Sequence, residues 1–439
     1  MQLPNSFKSF AQNKASQRIA EVATAPCVFY PYQDSPFSYI MAAIKAGVRY
    51  ESQEDWGASH FLEHILMRST EKYATLYELS RHVEGIGGQT SAYSTRDLTA
   101  YWVKVPTGCE ELGFDLLSQI LFKPTLKQEF IDLERSIIVH ERQRELVNYG
   151  RYTANALESL LLEPNPMSRH PVGTDESLAR MTPDYLRAFL KKHYHAGNIV
   201  VVGAGQPDPS FAGKVEAFLK EAPPGETSKP ANFMVESQYP DGRVIIKRSP
   251  HKEQVFISMG WRFPVLTDLD LLTWRVINTL LGAGYTSLLN WELREKHSFT
   301  YVCNTAMNVY DGMGVFKLHM AMHDRDLPQA LGIVTRIIAD LASNKIDRKA
   351  FDEAVVRHAA GLVTRWQNPL EAVPLVAHLL SRDGRLFDLA GYLSDLEKVK
   401  MDRAAELVSR WLAPQDRLVF VCTGSDKVDN MFAQTYRID

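Results

Sequence analysis

Residues 184–205 of this chain are DYLRAFLKKHYHAGNIVVVGAG, and residues 403–424 repeat the pattern as RAAELVSRWLAPQDRLVFVCTG. In both segments a helical pattern is followed by an apolar run that is typical of a buried strand. The same offset of 219 residues aligns residues 134–141 with residues 353–360. This period is far longer than the repeat of a solenoid, so the pattern predicts two related halves in one chain.

The segments around these repeats alternate irregularly between helical and strand patterns. This alternation favours an α+β fold in which each half has layered α/β domains, mostly antiparallel sheets and flanking helices. Residues 221–245 are rich in Pro, Gly, Ser and Lys, a composition that is typical of a linker. We therefore expect an N-terminal half at 1–220 and a C-terminal half at 246–439.

The overall composition is that of a soluble globular protein. The 439 residues are 45% hydrophobic and 23% charged, and the formal net charge is −3. This balance gives no reason to expect nucleic acid or an anionic membrane as a partner, and no apolar run approaches the roughly 20 residues of a membrane helix. Four scattered cysteines without a CxxC pair argue against a disulfide framework and against a thiolate zinc site. We expect a cytoplasmic protein.

The segment His60-Phe61-Leu62-Glu63-His64 carries the first chemical signal. On a helix, His60 and His64 lie about one turn apart on the same face, so both can bind one metal ion. Glu63 lies near that face and can deprotonate a metal-bound water without being a ligand itself. The order H-x-x-E-H is a catalytic zinc signature. The alternative interpretation is a solvated helix that bears two histidines and a glutamate.

A catalytic zinc site also needs a third protein ligand and an open position for water. The helix predicted at 127–147 offers Glu134 and Glu141, which are seven residues apart and therefore lie on one face. One of them can bind the metal while the other orients a ligand by a hydrogen bond. The alternative is that both are surface acids on a charged helix.

HFLEH, followed 77 residues later by Glu141, resembles the pitrilysin/insulinase family of zinc peptidases, also called inverzincins. The segments IKAGVRYE (44–51), GGQTSAYSTRDLTAYWVKV (87–105) and LGAGYTSLLNWELREKHSFTYV (281–302) are similar to the same family, so the resemblance covers nearly the whole chain.

This resemblance implies a role for each residue of the motif. His60, His64 and Glu141 would bind Zn²⁺, and Glu63 would be the general base. Glu134 would not bind the metal itself but would orient one of its ligands by a hydrogen bond. The second repeat has Ala360 at the position of Glu141 and contains no HxxEH. Only the first half is therefore expected to bind metal.

The resemblance also assigns catalytic and substrate-binding residues outside the motif. Arg294 and Tyr301 match the family's pair that stabilises the oxyanion of the tetrahedral intermediate; a surface arginine and a core tyrosine are the alternative.

Residues 87–93 are expected to form an edge strand beside the metal, to which an extended peptide adds by main-chain hydrogen bonds. The predicted substrate-binding residues are Gly88, Ser91, Ala92 and Tyr93. The family commonly has Asn-Ala where this chain has Ser91-Ala92, a departure that affects substrate positioning or rate.

These features favour a zinc metalloendopeptidase that hydrolyses short unfolded peptides in a closed chamber. Family members of this length pair so that the zinc half of one subunit faces the Arg/Tyr half of another. We expect a homodimer, with a heterodimer with a homologue as the other possibility. The alternative functions are a non-catalytic structural subunit and a peptide-binding subunit that needs a partner to cut. The ligand set also suits manganese or cobalt.

Overall fold

A computed structural model of the chain contains two six-stranded sheets. It describes residues 1–14, 19–22, 25–229, 243–265, 267–310, 313–412, 417–433 and 437–438. The strands of the first sheet are β1 (Ile19–Val22), β2 (Ala25–Pro31), β3 (Phe37–Ile44), β4 (Gln89–Ser94), β5 (Thr99–Pro106) and β6 (Ile199–Gly205). Those of the second sheet are β7 (Arg243–Arg248), β8 (Gln254–Pro264), β9 (Thr300–Tyr310), β10 (Met313–His323), β11 (Leu418–Thr423) and β12 (Arg437–Ile438).

The two sheets have matching strand orders. The first is β1-β2-β6-β3-β5-β4 and the second is β12-β7-β11-β8-β10-β9. β2 pairs with β6 in parallel, as β7 does with β11 and β12, and the remaining neighbours are antiparallel. The predicted α+β class and the mostly antiparallel sheets are thus confirmed. β4 and β9 occupy the same edge of their respective sheets.

Helices cover both sheets. The N-terminal half contributes α1 (Asn5–Lys14), α2 (Ala58–Ile65), α3 (Leu76–Glu84), α4 (Glu110–Phe122), α5 (Gln128–Val147), α6 (Tyr149–Leu162), α7 (Asp175–Ala179), α8 (Pro183–His193) and α9 (Phe211–Lys220). The C-terminal half contributes α10 (Asp268–Gly282), α11 (Leu288–Asn290), α12 (Leu327–Ala342), α13 (Arg348–Gln367), α14 (Pro369–Asp383), α15 (Leu389–Leu396), α16 (Met401–Trp411) and α17 (Asp426–Ala433). A π-helical turn, Trp291–Lys296, continues α11.

The internal repeat predicted from the sequence is present in the fold. β6 begins at residue 199 and β11 at residue 418, which is the predicted offset, and each follows a helix (α8 or α16). The 20-residue helices α5 and α13 also match, and both lead directly into another helix. The side chains of Asn148 and Asn368 cap these following helices, since they accept the N–H groups of Arg151 and Leu370.

Each half covers part of the other half's sheet. α6 of the first half packs on β8, β10 and β11 of the second sheet, whereas α14 of the second half packs on β3 and β6 of the first. At Gly260 of β8, an added Cβ would lie 2.4 Å from Leu161 and 3.1 Å from Leu157 of α6. A side chain at this position would therefore push the exchanged helix away from the sheet.

A buried polar cluster also joins α6 to the second sheet. Lys317 Nζ donates to Glu158 Oε2 at 2.6 Å, and Asn308 Nδ2 donates to Oε1 at 2.6 Å. The Tyr310 hydroxyl also donates to Oε1. Glu158 is 5% exposed, and although burial alone would raise its pKa, Lys317 and Arg96 lower that pKa to about 2. This carboxylate is therefore ionised and fully bonded in the interior.

The predicted linker at 221–245 falls mainly on residues 230–242, which lie outside the described residues. Residues 243–245, at its predicted end, already belong to β7. The boundaries at 220 and 246 stay a prediction. Within the described ranges, every helix is either too short or too polar to cross a membrane.

Candidate metal centre

The helix α2 carries the HFLEH motif and begins where a buried carboxylate caps it. Glu51 is 4% exposed, and its two oxygens accept the N–H groups of Gly57 at 3.0 Å and Ser59 at 2.9 Å. Gly57 has a φ of 89°, a left-handed conformation that favours glycine. Burial raises the pKa of Glu51, against the lowering effect of these two hydrogen bonds. This role of Glu51 was not predicted from the sequence.

Two histidine rings and a carboxylate converge beside α2. His60 Nε2 lies 3.4 Å from Glu141 Oε2, and His64 Nε2 lies 3.6 Å from the same oxygen. Tetrahedral zinc with bonds of about 2.0–2.1 Å requires ligand atoms roughly 3.3 Å apart. Each of these two separations is thus close to that between two ligands of one zinc ion.

Hydrogen bonds on the other ring nitrogens fix the orientation of both histidines. His64 Nδ1 lies 2.9 Å from Glu134 Oε2, whose second oxygen accepts from Arg68. The Ser94 hydroxyl donates to Glu63 Oε2 at 2.8 Å and therefore accepts from His60 Nδ1 at 3.1 Å. These bonds place a proton on Nδ1 of each ring and turn each Nε2 toward Glu141. Loss of the Nε2 proton of His60 would free that nitrogen for a metal.

The two carboxylates of this centre, Glu63 and Glu141, favour a positive charge beside them. Burial by itself would lower the pKa of His60, but hydrogen bonds and charges from Glu141 and Glu63 outweigh it and raise that pKa to about 9. Hydrogen bonding to His60 lowers the pKa of Glu141. Burial alone would raise the pKa of Glu63, but the hydrogen bonds from His60 and Ser94 and the charge of His60 outweigh burial and lower that pKa. Both carboxylates are therefore ionised at neutral pH and stabilise a cation.

The site fits a zinc ion by an observation that is independent of charge. His60 Nε2 is buried and makes no hydrogen bond of regular geometry with a described residue, although Glu141 Oε2 lies 3.4 Å from it. A buried nitrogen of this kind is costly unless a ligand binds it. Candidate ligand atoms of His60, Glu63 and His64 lie within 4.8 Å of one another, but Glu63 contacts His60 on Nδ1, at 3.3 Å. This geometry favours Glu141 over Glu63 as the third ligand.

The segment beside the motif forms an edge strand, as the sequence predicts. β4 begins after Gly88, contacts α2, and pairs on one side only, with β5. Ala92 packs in the core beneath α2, whereas Tyr93 packs in the other large core, so side chains alternate between the two faces. Ser94 shares the face of Ala92 and reaches Glu63, and this period of two was the signal that could have identified it. Ser91 shares the face of Tyr93, which points away from the motif.

Arg294 and Tyr301 lie elsewhere in the chain. Arg294 is in the π-helical turn after α11, and its guanidinium stacks 5.1 Å above the ring of Tyr285. Tyr301 is 91% exposed near the start of β9. Among the described residues, no hydrogen bond or ion pair joins either side chain to the metal centre. The alternative interpretation of Tyr301 as a core tyrosine is therefore wrong. The catalytic assignment of both residues stays a prediction.

Comparisons with known proteins agree with this organisation. Residues 28–175 match the family model described as Insulinase (Peptidase family M16), and residues 180–356 match the Peptidase M16 inactive domain. An uncharacterized zinc protease of Rickettsia felis is 26% identical over 298 residues, which are 67% of this chain and 70% of the relative. A probable mitochondrial-processing peptidase subunit beta of Arabidopsis thaliana is 31% identical over 254 residues, 55% of this chain and 45% of the relative.

Solved structures share the fold. A crystal structure described as the peptidase M16 inactive domain from Pseudomonas fluorescens has a TM-score of 0.84, with 17% identity over 93% of this chain and 98% of that one. A protease from Helicobacter pylori has a TM-score of 0.82, with 18% identity over 93% of this chain and all of that one.

A duplicated α+β fold with an inverted His-x-x-Glu-His motif in its first half defines a class of peptidases. Consecutive matches to two models of one family cover most of the chain. The chain belongs to the pitrilysin/insulinase family, peptidase family M16.

Proposed function

We propose that this protein is a zinc-dependent endopeptidase that hydrolyses short, unfolded peptides. The observation that carries the proposal is the convergence of the His60 and His64 Nε2 atoms on Glu141 Oε2, at 3.4 and 3.6 Å, beside the ionised carboxylate of Glu63. These side chains come from two distant segments of the chain. Their arrangement supports a metal site with a base next to it.

The proposed chemistry assigns one task to each residue. His60, His64 and Glu141 would hold a zinc ion, which when bound polarises the scissile carbonyl and acidifies a water molecule. Glu63 would accept the proton of the attacking water and deliver it to the leaving amine. The Ser94 hydroxyl orients the Glu63 carboxylate. Glu134 holds the ring of His64 and is itself held by Arg68.

The edge strand β4 supplies a mode of substrate binding. An extended peptide would pair with the free edge of β4, and this pairing reads the main chain more than the side chains. Gly88, Ser91, Ala92 and Tyr93 would contact the peptide through their main-chain groups. Because a folded protein cannot present an extended segment easily, this mode favours unfolded substrates.

A second subunit would complete the site. Tyr301 is 91% exposed, and Arg294 and Tyr301 have no contact with the metal centre among the described residues. We infer that the second half of a partner subunit brings this pair to the scissile bond, within a closed chamber. A homodimer is sufficient for this arrangement because one chain contains both sets of residues.

The second candidate function is that of a peptide-binding subunit that needs a different partner to cut. The separation of Tyr301 from the metal centre favours it, and the mitochondrial-processing peptidase relatives are described as subunits. A heterodimer with a homologue would supply the missing groups in this case.

Turnover of a quenched fluorescent peptide by the purified chain tests the proposal. We expect cleavage in proportion to bound zinc, loss of cleavage with a chelator, and recovery when zinc is added back. Zinc content is measured in the same samples by mass spectrometry. Cleavage that is insensitive to metal removal would contradict the proposal, and zinc without cleavage would favour the second candidate.

Replacing Tyr301 with phenylalanine is expected to lower kcat by about tenfold to a hundredfold with little change in KM. The hydroxyl is predicted to act on the oxyanion, and since a metal shares that charge, the loss is smaller than the 10²–10³ typical of a lone donor. Steady-state kinetics measure the two constants. The control is Tyr77→Phe, which removes a hydroxyl from the exposed face of α3. A rise in KM at unchanged kcat would contradict the oxyanion role.

A further inference from the structure

The second half contains a cleft at the position that corresponds to the metal centre of the first. There α10 packs on α13 as α2 packs on α5. The repeat offset matches Thr279 of α10 with His60. Glu141 corresponds to Ala360 by the sequence repeat, or to Gly361 by the starts of α5 and α13. The metal-binding side chains of the first half thus have no equivalents at these positions.

Arginines line this cleft instead. It has a volume of about 720 Å³, and its lining includes Arg275 from α10, Arg357 and Arg365 from α13, and Arg382 from α14. A Cβ added to Gly361, between Arg357 and Arg365 on α13, would meet no atom within 4 Å. The absence of a side chain at this position therefore leaves open space among the guanidinium groups.

Two of these arginines have buried nitrogens without partners. Nε of Arg275 and Nε of Arg357 are both buried and find no acceptor among the described residues, and neither guanidinium forms an ion pair with a described carboxylate. Among the described residues, Arg357 donates to the Thr286 hydroxyl and, at 3.3 Å, to the Thr279 carbonyl. Unpaired buried donors are costly and call for an explanation. A bound anion would supply the missing acceptors.

The acidic groups near the cleft do not neutralise this pair. Of the three aspartates that line it, Asp395 is bound to Lys398 at 2.6 Å, and Asp268 and Asp388 are exposed. Glu353, one turn before Arg357, acts on it only from beyond ion-pair distance.

Two titratable side chains on the inner face of the cleft, His358 and Tyr392, are neutral at pH 7. The ring of His358 is bonded to the Tyr392 hydroxyl at 2.8 Å. Burial, followed by the charges of Arg275 and Arg365, lowers the pKa of His358 to about 4. Burial raises the pKa of Tyr392. The inner face of the cleft is therefore positively charged.

The arginine cleft adjoins the metal centre. Arg275 and Arg382 line it and also line a neighbouring cleft of about 500 Å³ that contains His60 and Glu141. We propose that the arginine cleft binds a carboxylate group of the peptide, either its free C-terminus or an acidic side chain, with Arg275 and Arg357 as the main ligands. Arginine forks match carboxylates in geometry and charge. This inference rests on the proposed peptidase function, since it names the substrate class of that site.

Binding to the Glu63→Gln variant tests the proposal without cleavage. The probes are one fluorescent peptide in three forms: with a free C-terminus, with a C-terminal amide, and amidated with a glutamate added near the end. Fluorescence anisotropy gives each Kd. We expect at least one carboxylate form to bind about 10-fold tighter than the plain amide, as for a charge-assisted hydrogen bond. Comparison of the two carboxylate peptides shows whether the cleft binds the C-terminal carboxylate or the carboxylate of an acidic side chain.

A second substitution assigns the preference to the cleft. In the double variant with Glu63→Gln and Arg275→Gln, the 10-fold preference for a carboxylate peptide should fall below about twofold, while the Kd of the plain amide stays unchanged. The matched control is Arg348→Gln on α13, where the arginine is 66% exposed and paired with Asp352 outside the cleft. Arg275→Gln should also leave the melting temperature unchanged or raise it, because it removes a buried unpaired charge. If that variant does not fold, Arg275→Lys, which keeps the charge but loses the fork, should weaken the preference.

Either of two results would overturn this proposal: no preference for a carboxylate in the parent, or a preference that persists when both Arg275 and Arg357 are replaced. These results are distinct from a failure of the peptidase function. A protein that cleaves peptides without any carboxylate preference would refute only the arginine site. A protein with an Arg275-dependent preference that never cleaves would refute only the peptidase.

Discussion

Glu63→Gln is expected to lower kcat for peptide hydrolysis by about 10²–10⁴-fold, the usual contribution of a general base, while zinc remains bound at full stoichiometry. Glutamine has nearly the same size and can still accept the hydrogen bond of Ser94, so the helix and the ring of His60 should keep their positions. It cannot accept a proton from water. The loss should therefore appear in the chemical step and leave metal binding intact.

The measurement combines metal analysis with steady-state kinetics on the same preparation. The matched control is Glu84→Gln at the end of α3, where the side chain is exposed, and this variant should cleave at the parent rate. Normal cleavage by Glu63→Gln would remove Glu63 from the role of base. Loss of zinc from Glu63→Gln would instead mean that Glu63 is needed to hold the metal.

The largest effect on stability is expected for Glu158→Ala. This change leaves Lys317 buried, at 6% exposure, without its partner at 2.6 Å. Removing one member of a buried ion pair costs about 3–5 kcal/mol. The melting temperature should fall by on the order of 5 °C or more. Glu216→Ala, which breaks an exposed ion pair with Lys220 on α9, is the control and should change stability by less than about 1 kcal/mol.

The contribution of Glu158 should depend on pH in a defined window. Its pKa is about 2 in the folded protein and about 4.3 in an unfolded chain. A carboxyl whose pKa is lowered by folding stabilises the fold above its unfolded pKa, here by about 3 kcal/mol. That stabilisation is lost as the pH falls from about 4.3 to about 2. The difference between the melting temperatures of the parent and Glu158→Ala should therefore narrow in this range, and a constant difference would contradict the shift.

Periodicity and spacing predicted the parts of the fold that depend on local pattern. The duplication followed from the echo of residues 184–205 in residues 403–424, and β6 and β11 start at the expected offset. The helix with Glu134 and Glu141 was also predicted from its pattern. The edge strand beside the motif, and the convergence of Glu134 and Glu141 on His60 and His64, were expected only because a known family has the same motifs.

Other features could not be predicted from the sequence because they depend on contacts between distant segments. Glu51 caps α2 only because the loop before Gly57 turns back on the helix. Arg68 supports Glu134 through a pairing that local pattern does not encode, whereas the period of two in β4 places Ser94 on the side of the motif without identifying Glu63 as its partner. The arginine cleft is a case of the same kind, since Arg275 and Arg357 lie on different helices and are far apart in the sequence. Arginine is mostly an exposed residue type, so residue type gave no sign of this cluster.

The exchange of α6 and α14 has a consequence for how the chain gains its structure. One large core, beneath α2, is built from residues of the first half alone, whereas the other large core and the small core under α6 combine residues of both halves. Partial unfolding of either half would therefore expose apolar surface of the other. Despite its duplicated plan, the molecule is expected to unfold with its halves coupled, not as two independent domains.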